Sequence, residues 1–76
     1  MDKILKLLKE IRPEFEFEDS DDFIEDGYLD SFDVVSLVEL LESTFDIVID
    51  GLDVLPENFQ NIKAISEVIK KNGGNI

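Results

Sequence analysis

The sequence contains no cysteine, no histidine and no tryptophan. Without cysteine there is neither a disulfide nor a thiol nucleophile, and without histidine no side chain has an ordinary pKa near neutrality. Metal sites built on His and Cys are excluded with them. Base is scarce as well: 7 Lys and Arg stand against 19 Asp and Glu, a net charge of −12 over 76 residues. Ordinary enzyme chemistry is therefore short of parts. A chain of this length makes one core, burying only about 60% of its unfolded surface, and packing alone must hold it. The expected organisation is one domain over residues 1–72 with a flexible tail over 73–76, where Gly73-Gly74-Asn75 follow the last apolar period. Long apolar runs are missing too. Lys3, Lys6 and Lys9 interrupt the opening apolar residues, so neither a signal peptide nor a membrane span is expected, and the chain reads as a cytoplasmic monomer.

The few cations are placed unevenly. Lys3, Lys6, Lys9 and Arg12 lie near the start and Lys63, Lys70 and Lys71 near the end, with none between Pro13 and Ile62. The interval is an acidic field. It repels nucleic acid and attracts basic protein surfaces.

What is present is helical spacing. Ile4, Leu7, Leu8 and Ile11 form one stripe over residues 2–12, which Arg12-Pro13 ends because a proline ring disfavours helical geometry in the residue before it. Residues 13–30 form a long connection whose Phe15, Phe17, Phe23, Ile24, Tyr28 and Leu29 belong in a core rather than in a disordered segment. A second helix runs from Ser31 to Phe45. At about 100° per residue, Val34, Leu37, Val38, Leu41 and Phe45 share its core face with Val35 flanking it. Phe32, Ser36 and Leu40 fall on the opposite side, edged by Asp33 and Glu39. The β-branched run Asp46–Asp50 has no partner strand and is expected to be an extended loop plugged into the core by Ile47 and Ile49. Pro56–Phe59 reads as a short helix, and Asn61 as the cap of a last helix with Ile62, Ile65, Val68 and Ile69 inward. The expected fold class is all-α, a four-helix bundle with a short third helix and a long first loop.

Ser31 stands where the acidic connection becomes the second helix, between Asp30 and Phe32-Asp33. By local physics alone such a residue is a cap, with the Asp30 and Asp33 carboxylates at the positive end of the helix dipole. The wider pattern adds more. Gly27-Tyr28-Leu29, then Asp30-Ser31-Phe32-Asp33, Val35, Leu37, Val38, Leu41, Glu42, Phe45, Ile47 and Ile49, and later Asn61–Ile65, resemble the acyl carrier protein family and its Asp-Ser-Leu motif. The resemblance implies that Ser31 accepts phosphopantetheine from coenzyme A through a separate phosphopantetheinyl transferase. It also implies that Asp30 sets the local charge and helps hold a magnesium ion during that modification. Acyl intermediates would then be held as thioesters on the arm, for fatty-acid, polyketide or related biosynthesis, and the protein itself would catalyse nothing.

On the same resemblance Phe32, Asp33, Ser36, Glu39 and Leu40 are the residues read by partners. Those partners are acyl- or amino-acid-activating and acyl-transferring enzymes with basic docking surfaces. Phe32 stands where leucine is usual, Ser36 where an acid is common and Glu39 where an apolar residue is frequent, which points to partners other than those of a housekeeping fatty-acid carrier. The acidic loop and Phe45-Asp46-Ile47 also resemble D-alanyl and peptidyl carriers, whose arm bears an amino acid. A reading of another class is an unmodified acidic interaction or calcium-binding module. From Asp22 the spacing of Asp26, Gly27, Asp30 and Asp33 partly mimics an EF-hand loop, but Ile24 falls where an oxygen ligand is needed.

Overall fold

The computed structural model describes residues 2–75. Among these are three α-helices, α1 (Asp2–Ile11), α2 (Ser31–Phe45) and α3 (Ile62–Lys71), with single 3-10 turns at Phe17–Asp19, Gly51–Asp53 and Pro56–Phe59, and no strand. The short third helix expected at Pro56–Phe59 is one 3-10 turn and not an α-helix. Pro56 starts it, and the chain leaves helical geometry at Asn61, whose extended backbone (φ −155) begins the cap of α3.

The apolar stripes meet as their spacing requires. Ile4, Leu7 and Leu8 of α1 are buried against Val34, Leu37 and Leu41 of α2 and Ile65, Val68 and Ile69 of α3. Burying a side chain of this size contributes about 1.5–3 kcal/mol each, which is where a small fold without cross-links finds its stability. Ser66 is also buried on α3, and its hydroxyl donates to the Lys63 carbonyl at 2.8 Å.

The long connection is held by rings. Phe15 stacks on Tyr28 with centroids 4.5 Å apart, and Phe17 meets Phe23 edge-on at 5.0 Å. Backbone bonds fix its course. The Phe23 N–H donates to the Gln60 carbonyl at 2.6 Å, and the Phe23 carbonyl accepts from Tyr28 and Leu29 at 2.8 and 3.0 Å. Gly27 makes the intervening turn at φ 78, a left-handed conformation that suits a residue without a Cβ. The carboxylates here are used locally: Asp22 accepts the N–H groups of Ile24 and Glu25, and Asp26 accepts the Ser20 hydroxyl at 2.6 Å. Among the described residues no group of three or more His, Cys, Asp or Glu is gathered to hold a metal ion.

After α2 the chain turns at Asp46 (φ 55) and runs extended. Ile49 is buried and Ile47 half-buried while Val48 between them is exposed, the alternation of a strand without a partner. The Glu42 carboxylate takes the partner's place, accepting the Ile49 N–H at 2.9 Å. Asn61 caps α3 by accepting from the Ala64 N–H at 2.8 Å. At the other end Gly73 (φ 91) and Gly74 return their N–H groups to Lys70 and Ile69 at 3.1 and 2.8 Å, a Schellman closure. The tail expected to be flexible over 73–76 begins in this closure, and its last residue, Ile76, lies outside the described residues. No helix among them is long and apolar enough to cross a membrane.

Candidate functional site

The start of α2 is built by two aspartates. Asp30 takes an extended backbone and its Oδ1 accepts the Asp33 N–H at 2.8 Å, while Asp33 Oδ2 accepts the Asp30 N–H at 3.1 Å. This is a capping box, with aspartate doing at both positions what serine and glutamate more often do. A third group closes it from far along the chain. Arg12, just past the end of α1, donates from Nε to the same Asp33 Oδ2 at 2.9 Å, and its Nη2 and Nη1 lie 3.5 Å from Asp30 Oδ2 and Glu14 Oε2.

Burial explains why the cation is needed. Asp33 is only 6% exposed, and a carboxylate so enclosed is costly unless paired. The Asp33 N–H, and after it the Arg12 charge, hold the Asp30 carboxyl below its ordinary range. The hydrogen bond and charge of Asp33 in turn raise Arg12.

Ser31 is the first residue of α2, directly after the cap, and it is exposed. Its hydroxyl makes no hydrogen bond among the described residues. The capping that a serine here would ordinarily provide is done by Asp30. The result is an uncommitted hydroxyl at the positive end of a helix, held on a backbone fixed from both sides.

The expected partner face is only partly where the spacing put it. Phe32 is 78% exposed and Glu39 is exposed, and Ser36 is half-buried. Asp33 is a correction. It was expected on the exposed edge of α2, but it is turned inward, 6% exposed, and used by Arg12 and the Asp30 N–H. Leu40 is half-buried and packed on the core, while Val35, expected to flank the core, is 55% exposed. One cause accounts for both exchanges. The buried side of α2 lies toward Leu37 from the Val34–Leu41 line, so Leu40 turns in and Val35 turns out beside Ser31. Sequence reasoning passed over Arg12 and Val35. The sequence marks Arg12 as the one cation between Lys9 and Lys63 and puts Val35 at helical spacing from Ser31, but neither signal shows the contact or the exposure.

A different region carries a similar ion pair. Lys71 Nζ meets Asp53 Oδ1 at 2.7 Å, and Asn72 accepts the Asp50 N–H at 3.2 Å, tying the loop after α2 to the end of α3. Beside it lies an open depression of about 310 Å³ lined by Asp53, Asn58, Ala64, Glu67, Val68 and Lys71, none of them in α2.

Residues 2–69 match the family model described as "Phosphopantetheine attachment site". Among curated proteins and among solved structures no similar chain is matched. The match spans nearly all of the chain, which therefore belongs to that family of phosphopantetheine-bearing carrier proteins. Its members carry a covalently attached phosphopantetheine and work with phosphopantetheinyl transferases and biosynthetic enzymes, and they are generally non-catalytic.

Proposed function

We propose that this member of the phosphopantetheine-attachment family is an acyl carrier protein whose prosthetic group is attached to Ser31. The observation that carries the reading is the Ser31 hydroxyl, exposed at the first residue of α2 and without a hydrogen-bond partner among the described residues. A phosphodiester formed there has room, and the helix dipole favours its charge. When bound, the arm supplies the thiol on which cargo is held. The chain's own residues present that arm and identify the protein to others. Asp30 keeps a negative charge beside the attachment point, and Phe32, Val35, Ser36 and Glu39 form the face that basic docking surfaces of acyl-transferring enzymes read. The protein itself catalyses nothing and works as a cytoplasmic monomer in fatty-acid, polyketide or related biosynthesis.

The test is intact mass after incubation with coenzyme A and a promiscuous phosphopantetheinyl transferase. The parent is expected to gain one phosphopantetheine and Ser31→Ala none. A folded parent that gains nothing would overturn the reading. The cargo is tested next, with acyl- and amino-acid-activating enzymes supplied to the modified protein. Loading of an amino acid in place of an acyl group would make this an aminoacyl carrier.

A further inference from the structure

We infer that Arg12 is a positioning residue for the modification of Ser31, acting through Asp33; the inference rests on Ser31 being the attachment residue. Three contacts form one chain of constraint. Arg12 Nε holds Asp33 Oδ2 at 2.9 Å, the same oxygen accepts the Asp30 N–H at 3.1 Å, and Asp30 Oδ1 accepts the Asp33 N–H at 2.8 Å. Ser31 lies inside that ring. Its backbone is fixed by bonds to the residue before it and to the residue two after it.

The ring depends on the cation. Asp33 is 6% exposed, and without a positive partner its carboxylate gains by turning out to water. That motion releases the Asp30 N–H and opens the reciprocal half of the cap, so the first turn of α2 frays. Arg12 can hold the position because its own backbone is anchored, its N–H donating to the Leu8 carbonyl at 3.0 Å with Pro13 following. A guanidinium also suits the place better than an ammonium. Its rigid fork reaches Asp33 and lies 3.5 Å from Asp30 at the same time.

A transferase that requires the ordered turn binds only the fraction of carrier molecules that have it. If Arg12→Gln lowers that fraction to about a tenth, the apparent affinity falls about tenfold while turnover at saturation is kept. The expected result is therefore a KM for the carrier raised about tenfold with kcat within about twofold. Faster hydrogen exchange of the Asp30 N–H should accompany it, read on the unmodified protein.

Arg12→Lys should lie between, and it serves as the test variant if Arg12→Gln fails to fold. Asp33→Ala, at a position only 6% exposed, should raise KM at least as much, and adding Arg12→Gln to it should change nothing further. Lys71→Met, which breaks the similar pair at α3, should leave KM alone. A parental KM in Arg12→Gln or in Asp33→Ala overturns the inference, the latter because Arg12 would then be touching the transferase directly. A KM raised by Lys71→Met as much as by Arg12→Gln overturns it too, in favour of general stability. Absence of any mass gain in the folded parent would instead remove Ser31 as the attachment residue.

Discussion

Arg12, past the end of α1, reaches Asp33 at 2.9 Å; Lys71, in the last turn of α3, reaches Asp53 at 2.7 Å. In both places a cation from the end of one helix meets a buried carboxylate in a distant segment, and by distance the two pairs are alike. Their surroundings differ. Asp53 receives a lysine that is 69% exposed, a point charge that ties a loop to a helix end. Asp33 receives an arginine that forks toward Asp30, and the pair forms part of a helix cap with an uncommitted hydroxyl inside it. An ion pair alone therefore marks nothing, and the functional sign is what it holds in place. The difference also lies in backing: the loop that leaves Arg12, where the Phe15 N–H donates to the Arg12 carbonyl at 3.3 Å, is held by contacts among the rings of Phe15, Phe17, Phe23 and Tyr28, whereas the Lys71 end is closed by backbone bonds from Gly73 and Gly74.

The largest expected effect separates the two ends outright. Ser31→Ala should abolish modification while leaving the thermal midpoint unchanged, since the exposed hydroxyl bonds to nothing that stabilises the fold. Lys71→Met should do the reverse, lowering the midpoint and leaving modification intact. Intact mass and thermal unfolding on the same samples read both. A modified Ser31→Ala would break the comparison, because the Arg12 end would then be as silent as the other.

The aromatic backing is tested by Phe23→Ala. The ring is fully buried, at a residue whose backbone carbonyl receives two N–H groups just ahead of Asp30, and loss of the ring alone should cost about 3–5 kcal/mol in chemical unfolding. Gly74→Ala probes the opposite end. A Cβ there would overlap the Ile69 side chain and crowd its carbonyl, and overpacking of this kind costs about 1–3 kcal/mol. If Gly74→Ala proves the more damaging, the Lys71 end is the better organised of the two.

How much of this was legible in the sequence follows from range. Helical period placed Leu37, Leu41, Ile65 and Ile69 inward, and local chemistry identified Asn61 as a cap, because both signals act within one turn; at the start of α2 the same rule pointed to Ser31, one residue past Asp30, which does the capping. The aromatics of the long loop were legible for a similar reason, since rings are costly to leave in water. Asp33 was misplaced because its partner is 21 residues away, and no local rule shows that a carboxylate beside a helix start will be buried under an arginine. Val35 and Leu40 were exchanged because period gives the width of an apolar stripe but not the direction from which α1 covers it. The Lys71–Asp53 pair, also long-range, left no trace in the pattern. Ser31 itself was found by motif, and local physics would have left it as a cap.

The smallest expected effect distinguishes the two pairs by pH. Hydrogen bonding and charge from Asp53 raise Lys71 above its ordinary value of 10.5, with Asp50 adding to the field. A raised cation contributes stability in full below its unfolded pKa and loses it as pH rises through the folded value. Arg12 is raised as well, from a value already beyond that window, so its pair survives where that of Lys71 opens. Acid draws no such distinction. Asp30 and Asp53 are both lowered from 3.8, Asp30 chiefly by the Asp33 N–H and Asp53 chiefly by Lys71, so each contribution holds above that pH and fades as pH falls through the folded values. The difference in midpoint between parent and Lys71→Met should therefore be present at neutrality and shrink as pH rises through the raised Lys71 value, while that between parent and Arg12→Gln persists. Thermal unfolding of the three proteins from neutral to alkaline pH measures both. If the Arg12→Gln difference collapses over the same interval, the two pairs respond alike, and the added constraint attributed to the guanidinium fork is absent.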